Sequence, residues 1–427
     1  MAEVDKIIPT LPPARAIPVT FKDSFRSCTD KALTPPRLSV GDKQSAASEE
    51  RLLRDAVPYF FGKDDKIPTP PPPVIAQSFM VPLSNPSHFI NTVAIKPATP
   101  SNTPPVVLLH GYGAGLGFYF RNFAAVGAWA ERRQTPVYAL DWLGMGRSAR
   151  PLFKVKAKRQ DIQARVEQSE AFFVDSLEDW RERMGIERMT LVGHSLGGYF
   201  STAYALKYPE RVARVVLLSP AGVPGNPDET TQPSRELDAN PADPSATGQP
   251  DISAVKQEQK TKKRQEGTLR RVATHLWEEG WSPFQVVRST MFWGPMIVGK
   301  YSARRFSGLS EEQTRNIHDY IVNITLAKGS GEYCISHILA PGAHARLPLV
   351  DRVAPLKMPV TFVYGEHDWM DPEGGLAAVQ NLRAAGNKHS KLVVVPGAGH
   401  HVYLDNHNFV NDLMIKEFEK TIPRGER

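Results

Sequence analysis

The sequence predicts an α/β protein: a mostly parallel sheet of eight strands, helices on both of its faces, and a helical cap inserted after the sixth strand. Three observations predict it. Short runs of β-branched residues alternate with longer stretches of helical periodicity from about residue 75 onward. A G-x-S-x-G turn, Gly193-His194-Ser195-Leu196-Gly197, joins one such run directly to one such stretch. The alternation stops after Ser219 and returns at Val360, with polar and then aromatic-rich sequence between.

Taken in order, residues 1–74 read as a Pro-rich, largely disordered N-terminal tail. It holds one amphipathic island, Glu49–Phe61, expected to form a short helix docked on the body, and a stiff polyproline-like spacer from Pro68 to Pro73. Residues 75–222 read as the first part of the core. Its opening hairpin is Ile75–Val81 and Phe89–Ile95, turned at Asn85-Pro86. Strands at Val106–His110 and Val137–Asp141 enclose a helical stretch from Phe118 to Arg133, and a long amphipathic helix runs from Asp161 to Met184. The strand Met189–His194 and its helix follow, then the strand Val212–Ser219. Residues 223–353 form the cap insert, with 223–267 polar enough to be disordered and 268–353 mainly helical. Residues 354–427 complete the core with strands Val360–Tyr364 and Leu392–Pro396 and helices Gly374–Ala385 and His407–Lys420.

The turn at Ser195 carries the chemistry. Passing from strand to helix without a loop strains the backbone at the apex, and small neighbours at Gly193 and Gly197 let the adjoining backbones pass. Ser195 is then displayed at the carboxyl end of the sheet, beside helix N–H groups suited to a developing oxyanion. A serine hydroxyl is a weak nucleophile near neutral pH and needs a base oriented by a carboxylate. In this architecture the acid and then the histidine follow the serine in the chain. The loop Gly365-Glu366-His367-Asp368-Trp369-Met370-Asp371-Pro372 offers Asp368, with Asp371 as the alternative acid. The turn Pro396-Gly397-Ala398-Gly399-His400-His401 offers His400 ahead of His401. Glycines in His110-Gly111-Tyr112-Gly113-Ala114-Gly115 let a backbone approach a substrate carbonyl. There the N–H of Tyr112, or alternatively of Gly113, would join that of Leu196 as oxyanion donor. No Lys-Ser/Thr pair follows these glycines, which argues against a phosphate-cradling loop.

The stretch His110 to Gly117, Asp141-Trp142-Leu143-Gly144-Met145-Gly146-Arg147-Ser148, the Ser195 turn, Trp293-Gly294-Pro295, and Gly397 to Asp405 together resemble one α/β-hydrolase subfamily. It contains the lysophosphatidate acyltransferase/lipase coactivator group, N-acylphosphatidylethanolamine lipases and fungal cardiolipin deacylases. The resemblance covers roughly residues 75 to 420, the polar insert excepted. Trp293-Gly294-Pro295 and the His-x4-Asp pair His400 and Asp405 are its more specific parts. It implies the α/β-hydrolase fold, no metal and no cofactor. The implied activity is hydrolysis of phospholipid or lysophospholipid carboxylic esters through an acyl-serine. Two alternatives follow from it: acyl transfer to lysophosphatidic acid, associated with the His400–Asp405 motif, and a non-catalytic lipid-surface coactivator of a partner lipase. Asp405 also reads as a helix cap beside the base histidine. The coactivator members lack the elbow serine that this chain has, and some relatives place their acid at the position of Asp371.

The cap segment Leu276–Lys300 carries more aromatic and methionine surface than one helix face buries. Trp281, Phe284, Phe292, Trp293 and Met296 are therefore candidates for acyl-chain or membrane contact, and Lys300, Arg304 and Arg305 for lipid phosphate. Net charge of +7 and a pI near 9.2 suit an anionic lipid surface. No dense Lys/Arg block is interleaved with aromatics, so nucleic acid is not an expected partner. Two cysteines, Cys28 and Cys334, make neither a disulfide framework nor a metal cluster. No apolar run approaches the roughly 20 residues of a membrane span, and no apolar signal core is seen. The expected location is cytoplasmic, peripheral to lipid droplets or endoplasmic reticulum. The alternative is mitochondrial, through the cardiolipin-deacylase resemblance, although Pro9, Pro12, Pro13 and Pro18 would break a presequence helix.

Overall fold

The computed structural model describes residues 17–20, 23–24, 42–224, 274–290, 293–341 and 344–421. The stretch expected to be disordered, 223–267, lies outside them except for Val223 and Pro224, and so does Phe292. The strands are β1 (Val74–Pro82), β2 (Phe89–Pro97), β3 (Val106–Leu109), β4 (Val137–Leu140), β5 (Met189–His194), β6 (Val212–Leu218), β7 (Val360–Gly365) and β8 (Lys391–Val395). They form one eight-stranded sheet in the order β1-β2-β4-β3-β5-β6-β7-β8. β2 pairs antiparallel with β1 and β4, and the pairs from β4 to β8 are parallel.

The interior strands β3 and β4 are continuous apolar runs buried at every position, as parallel strands covered on both faces must be. Alternate side chains serve opposite faces. Val107, Leu109, Leu191, Leu217 and Phe362 join one cluster, while Val106, Leu108, Val192, Val216 and Val363 join the other.

Before the cap the helices are α1 (Asp42–Ala56), α2 (Phe123–Arg133), α3 (Ile162–Arg183) and α4 (Leu196–Lys207). The cap supplies α5 (Pro283–Ser289), α6 (Trp293–Arg305), α7 (Glu311–Leu326) and the short α8 (Ile335–Ile338). After it come α9 (Pro372–Ala384), the single turn α10 (Val402–Asp405) and α11 (His407–Glu419). Local signals fix their starts: Asp161 caps α3 by accepting from the Ala164 amide at 3.0 Å, and Ser310 with Gln313 makes a capping box on α7. α3, α4 and α9 bury apolar residues on the first face of the sheet, α2 and α11 on the second. Among the described residues no helix is long and apolar enough to cross a membrane.

The N-terminal region differs from the expectation of a mostly disordered tail. Residues 42–73 belong to the body. α1 begins seven residues earlier than the amphipathic island and buries Glu49, Leu52 and Leu53, with Val57 buried just beyond its end. Beyond it, the Phe61 amide donates to the Ala76 carbonyl at 2.8 Å and the Ala76 amide to the Tyr59 carbonyl at 2.9 Å, adding a bridge beside β1. The polar sequence of α1 hides this because its burial is met by specific partners. Arg51 pairs with Asp319, and Asn323 Nδ2 donates to Ser48 Oγ at 2.7 Å, fastening α1 to cap helix α7. Further upstream, Ile17 is buried, and Pro18 lies so close to α6 that a Cβ on Gly299 would meet its carbonyl oxygen at 2.0 Å.

Candidate active site

Register brings the site together. β3 lies between β4 and β5, with Leu109 opposite Gly193, so the His110-Gly111 turn and the His194-Ser195 turn leave the sheet side by side. Ser195 sits at φ 51 and ψ −119, in the left-handed half of the map that a side chain enters only under constraint. That constraint is visible. The Ser195 amide donates to the Leu218 carbonyl at 2.9 Å, and its own carbonyl accepts from Tyr199 and Ala221, each at 3.1 Å. A Cβ at Gly193 would meet the Gly197 carbonyl oxygen at 2.4 Å, and one at Gly197 the His110 carbonyl oxygen at 2.4 Å, so glycine is required at both.

The loops after β7 and β8 supply the partners. His400 Nε2 lies 3.0 Å from Ser195 Oγ, and His400 Nδ1 lies 3.1 Å from Asp368 Oδ1. Asp368 Oδ1 also accepts from the Met370 amide at 3.0 Å. Burial would raise the Asp368 carboxyl, but the charge and hydrogen bond of His400 and the Met370 amide outweigh it and hold it below the ordinary range. Asp371 does something else: its Oδ1 accepts from the Glu373 amide at 2.8 Å and caps α9. His401 heads α10 and stacks near Phe118 rather than reaching Ser195.

His194, which the sequence reading passed over, steadies the backbone at His400. Its Nε2 donates to the His400 carbonyl at 3.1 Å. Burial first, and then the charges of His400 and His401, push its pKa well below the usual value, which keeps the ring neutral. The signal was present as a polar residue inside a buried strand.

On the oxyanion side, a Cβ at Gly111 would stand 3.0 Å from Ser195 Cβ, so the backbone entering Tyr112 passes directly beside the serine. Leu196 is the first residue of α4, where an N–H has no acceptor within the helix. The loop is braced from behind. Trp142 Nε1 donates to the His110 carbonyl at 2.9 Å, Tyr119 Oη to the Leu109 carbonyl at 2.9 Å, and the Leu116 amide to Asp141 Oδ1 at 2.8 Å. Gly113, at φ 73, lies under the ring of Phe284, which a Cβ there would strike at 2.3 Å.

The other cap candidates are dispersed. Among the described candidates Phe284 reaches the site, its ring 5.2 Å from that of Tyr112. Met296 is buried in the cap, while Trp281 and Trp293 are 37% and 51% exposed and face solvent. Lys300 is exposed and Arg304 half-buried. Arg305 is not available to a lipid phosphate: it pairs with Asp405 Oδ1 at 2.5 Å. Asp405 Oδ2 accepts from the Gly399 amide at 2.9 Å, so Asp405 ties α6 to the turn that carries His400 rather than capping a helix. Sequence reasoning also missed Arg150 and Arg288, which come together with Gly113 and Phe284 around a small pocket between the Gly111–Gly113 turn and the cap. Their positions, far apart in sequence, gave no sign of it.

The model of the alpha/beta hydrolase fold matches residues 104–407. A curated 1-acylglycerol-3-phosphate O-acyltransferase of Arabidopsis thaliana is 35% identical over 84% of this chain and 76% of its own. A human (lyso)-N-acylphosphatidylethanolamine lipase is 32% identical over 75% of this chain and 80% of its own. Among solved structures, the Bacillus subtilis carboxylesterase CesB aligns with a TM-score of 0.49 and 17% identity, covering 88% of this chain and 97% of that one.

Proposed function

Because the chain belongs to the α/β-hydrolase family, we propose that it is a serine hydrolase of phospholipid or lysophospholipid carboxylic esters, working through an acyl-Ser195 intermediate. The observation that carries this reading is the continuous line from Ser195 Oγ through His400 to Asp368. Ser195 Oγ attacks the ester carbonyl carbon as its proton passes to His400 Nε2, and Asp368 steadies the resulting imidazolium through Nδ1–H. The Tyr112 and Leu196 amides receive the oxyanion. Collapse breaks the ester C–O bond, and the departing alcohol takes the proton from His400. Water, deprotonated by His400, then attacks the acyl-serine, the C–Oγ bond breaks as His400 returns the proton to Ser195 Oγ, and the fatty acid leaves. A fluorophosphonate probe tests the assignment: wild-type protein should label and Ser195→Ala should not. Equal labelling of both would reject it.

A second reading is acyl transfer to lysophosphatidic acid, favoured by the name of the Arabidopsis relative. The same acyl-serine is then released by the acceptor hydroxyl, with His400 again as base, and the outcome turns on how well the cap excludes water. A lipid-surface coactivator that does no chemistry is disfavoured by the intact hydrogen-bonded line at Ser195. The lipid is expected to come from a membrane or lipid-droplet surface. The exposed face of α6, with Trp293, Ile297 and Lys300 at positions i, i+4 and i+7, suits such a surface.

A further inference from the structure

We propose that Arg150 and Arg288 form an anion subsite beside the oxyanion loop that takes the phosphate of the substrate's head group; this rests on the hydrolase reading above. The pocket they line is walled by Gly113 on the oxyanion loop and by Phe284 on the cap. The backbone at Gly111, two residues before Gly113, passes so close to Ser195 that a Cβ there would stand 3.0 Å from the serine Cβ. In a lysophosphatidate the ester and the phosphate are separated by only a few bonds of glycerol. A head group entering this pocket therefore leaves its ester carbonyl near the serine.

The charges favour an anion. Arg150 reaches the pocket already oriented: Nη1 donates to the Lys328 carbonyl at 2.6 Å and Nη2 to the Gly146 carbonyl at 2.8 Å. Among the described residues it has no carboxylate within ion-pair distance, and its hydrogen bonds go to the carbonyls of Gly144, Gly146, Ile324 and Lys328. Burial, together with the nearby charge of Arg288, lowers its pKa, while Glu332 and Asp141 oppose the shift. Arg288 pairs with Glu332, whose other oxygen, Oε2, is occupied by the Ser330 amide at 2.8 Å. Two guanidinium groups thus share the pocket wall with the Glu332 carboxylate, while Asp141 acts on Arg150 from behind Gly146. A phosphate monoester carries close to two negative charges, and guanidinium groups are well matched to its oxygens.

A purely structural role for the cluster makes a different prediction. If Arg288 and Glu332 matter only as a pair, removing either should impair the protein alike. If they form the wall of an anion site, the two removals act in opposite directions. Hydrolysis of 1-oleoyl-lysophosphatidic acid and of the uncharged 1-oleoylglycerol is compared in the same mixed micelles. Arg288→Gln should lower the kcat/KM ratio of charged to uncharged ester by about tenfold or more, and Glu332→Gln should raise it. Parallel loss on both esters in both variants would overturn the proposal. Glycerol 3-phosphate and inorganic phosphate serve as competitors. Inhibition by the first alone assigns the site to a lipid head group, equal inhibition by both assigns it to free phosphate, and inhibition by neither overturns it. Should the wild type cleave neither ester, the hydrolase reading fails by itself. Equilibrium dialysis of glycerol 3-phosphate against Ser195→Ala and Ser195→Ala/Arg288→Gln then still decides the subsite: weaker binding by the double variant supports it, and equal or absent binding rejects it.

Discussion

Asp368 and Asp371 stand on one loop, yet the first faces His400 and the second caps α9. Asp368→Asn should lower kcat by about ten-thousandfold, the cost of losing the correct imidazole tautomer. Asp371→Ala should leave kcat nearly unchanged and cost about 1 kcal/mol in urea unfolding, as for a lost helix cap. The opposite pattern would exchange their roles. Asp405 holds the Gly399 amide, in the turn just before His400, and Arg305. Asp405→Asn should therefore reduce ester hydrolysis and any transfer to lysophosphatidic acid together, by about ten- to a hundredfold through misplacement of His400. Loss of transfer alone would instead make Asp405 part of an acyl-transfer device. The meeting of Ser195, His400 and Asp368 was legible because chain order and loop position after strands restrict it. The Arg305–Asp405 pair and the meeting of Arg150 with Arg288 were not. They depend on how the cap lies on the sheet, which periodicity does not encode.

Strands and helices of the core were legible nearly to the residue, since buried β-branched runs and capped amphipathic helices leave strong local patterns. α1 was less so, because it is held by polar contacts as much as by Leu52 and Leu53. Its Glu49 is buried on the end of a chain of hydrogen bonds: Asn91 Nδ2 donates to Glu49 Oε2 and to Asp141 Oδ2, both at 2.8 Å, and Arg147 donates to Glu49 Oε1 at 2.5 Å. Asp141 in turn braces the oxyanion loop at Leu116. Burial, opposed by Arg147 and reinforced by Asp141, raises Glu49 from 4.5 to about 7. Between those values the folded state binds more protons than the unfolded one, so this group's contribution to stability falls as pH rises across that window. The loss is complete above about pH 7. Glu49→Gln removes the titration. Urea unfolding should show the variant gaining on wild type from pH 5 to pH 8, about the two ends of that window; a difference that is constant with pH would contradict it.

At the scale of the whole molecule, the cap and the N-terminal segment form one outer layer, joined by Arg51–Asp319 and by Asn323 to Ser48. Its exposed apolar residues include Trp293 and Ile297, 51% and 40% exposed, beside Lys300. Wild-type protein should float with anionic vesicles at low salt, and Trp293→Ala/Ile297→Ala/Lys300→Gln should float markedly less. Failure of the wild type to float, or equal flotation of the two, would remove α6 as the docking face. Arg305 is left out of this test because its pairing with Asp405 would confuse docking with catalysis. The strand order also sets a timetable for synthesis. β1 to β6 make an unbroken six-stranded sheet by themselves, and β7 and β8 are added at its edge only after the cap has been made. At about 5–20 residues per second, the roughly 140 residues between β6 and β7 take on the order of ten seconds to emerge from the ribosome. During that interval Val215 to Leu218 present an open apolar strand edge, and the nascent chain carries Ser195 without Asp368 or His400. A chain arrested after the cap thus holds Ser195 without the two side chains that meet it in the finished fold, and offers an open strand edge to its neighbours.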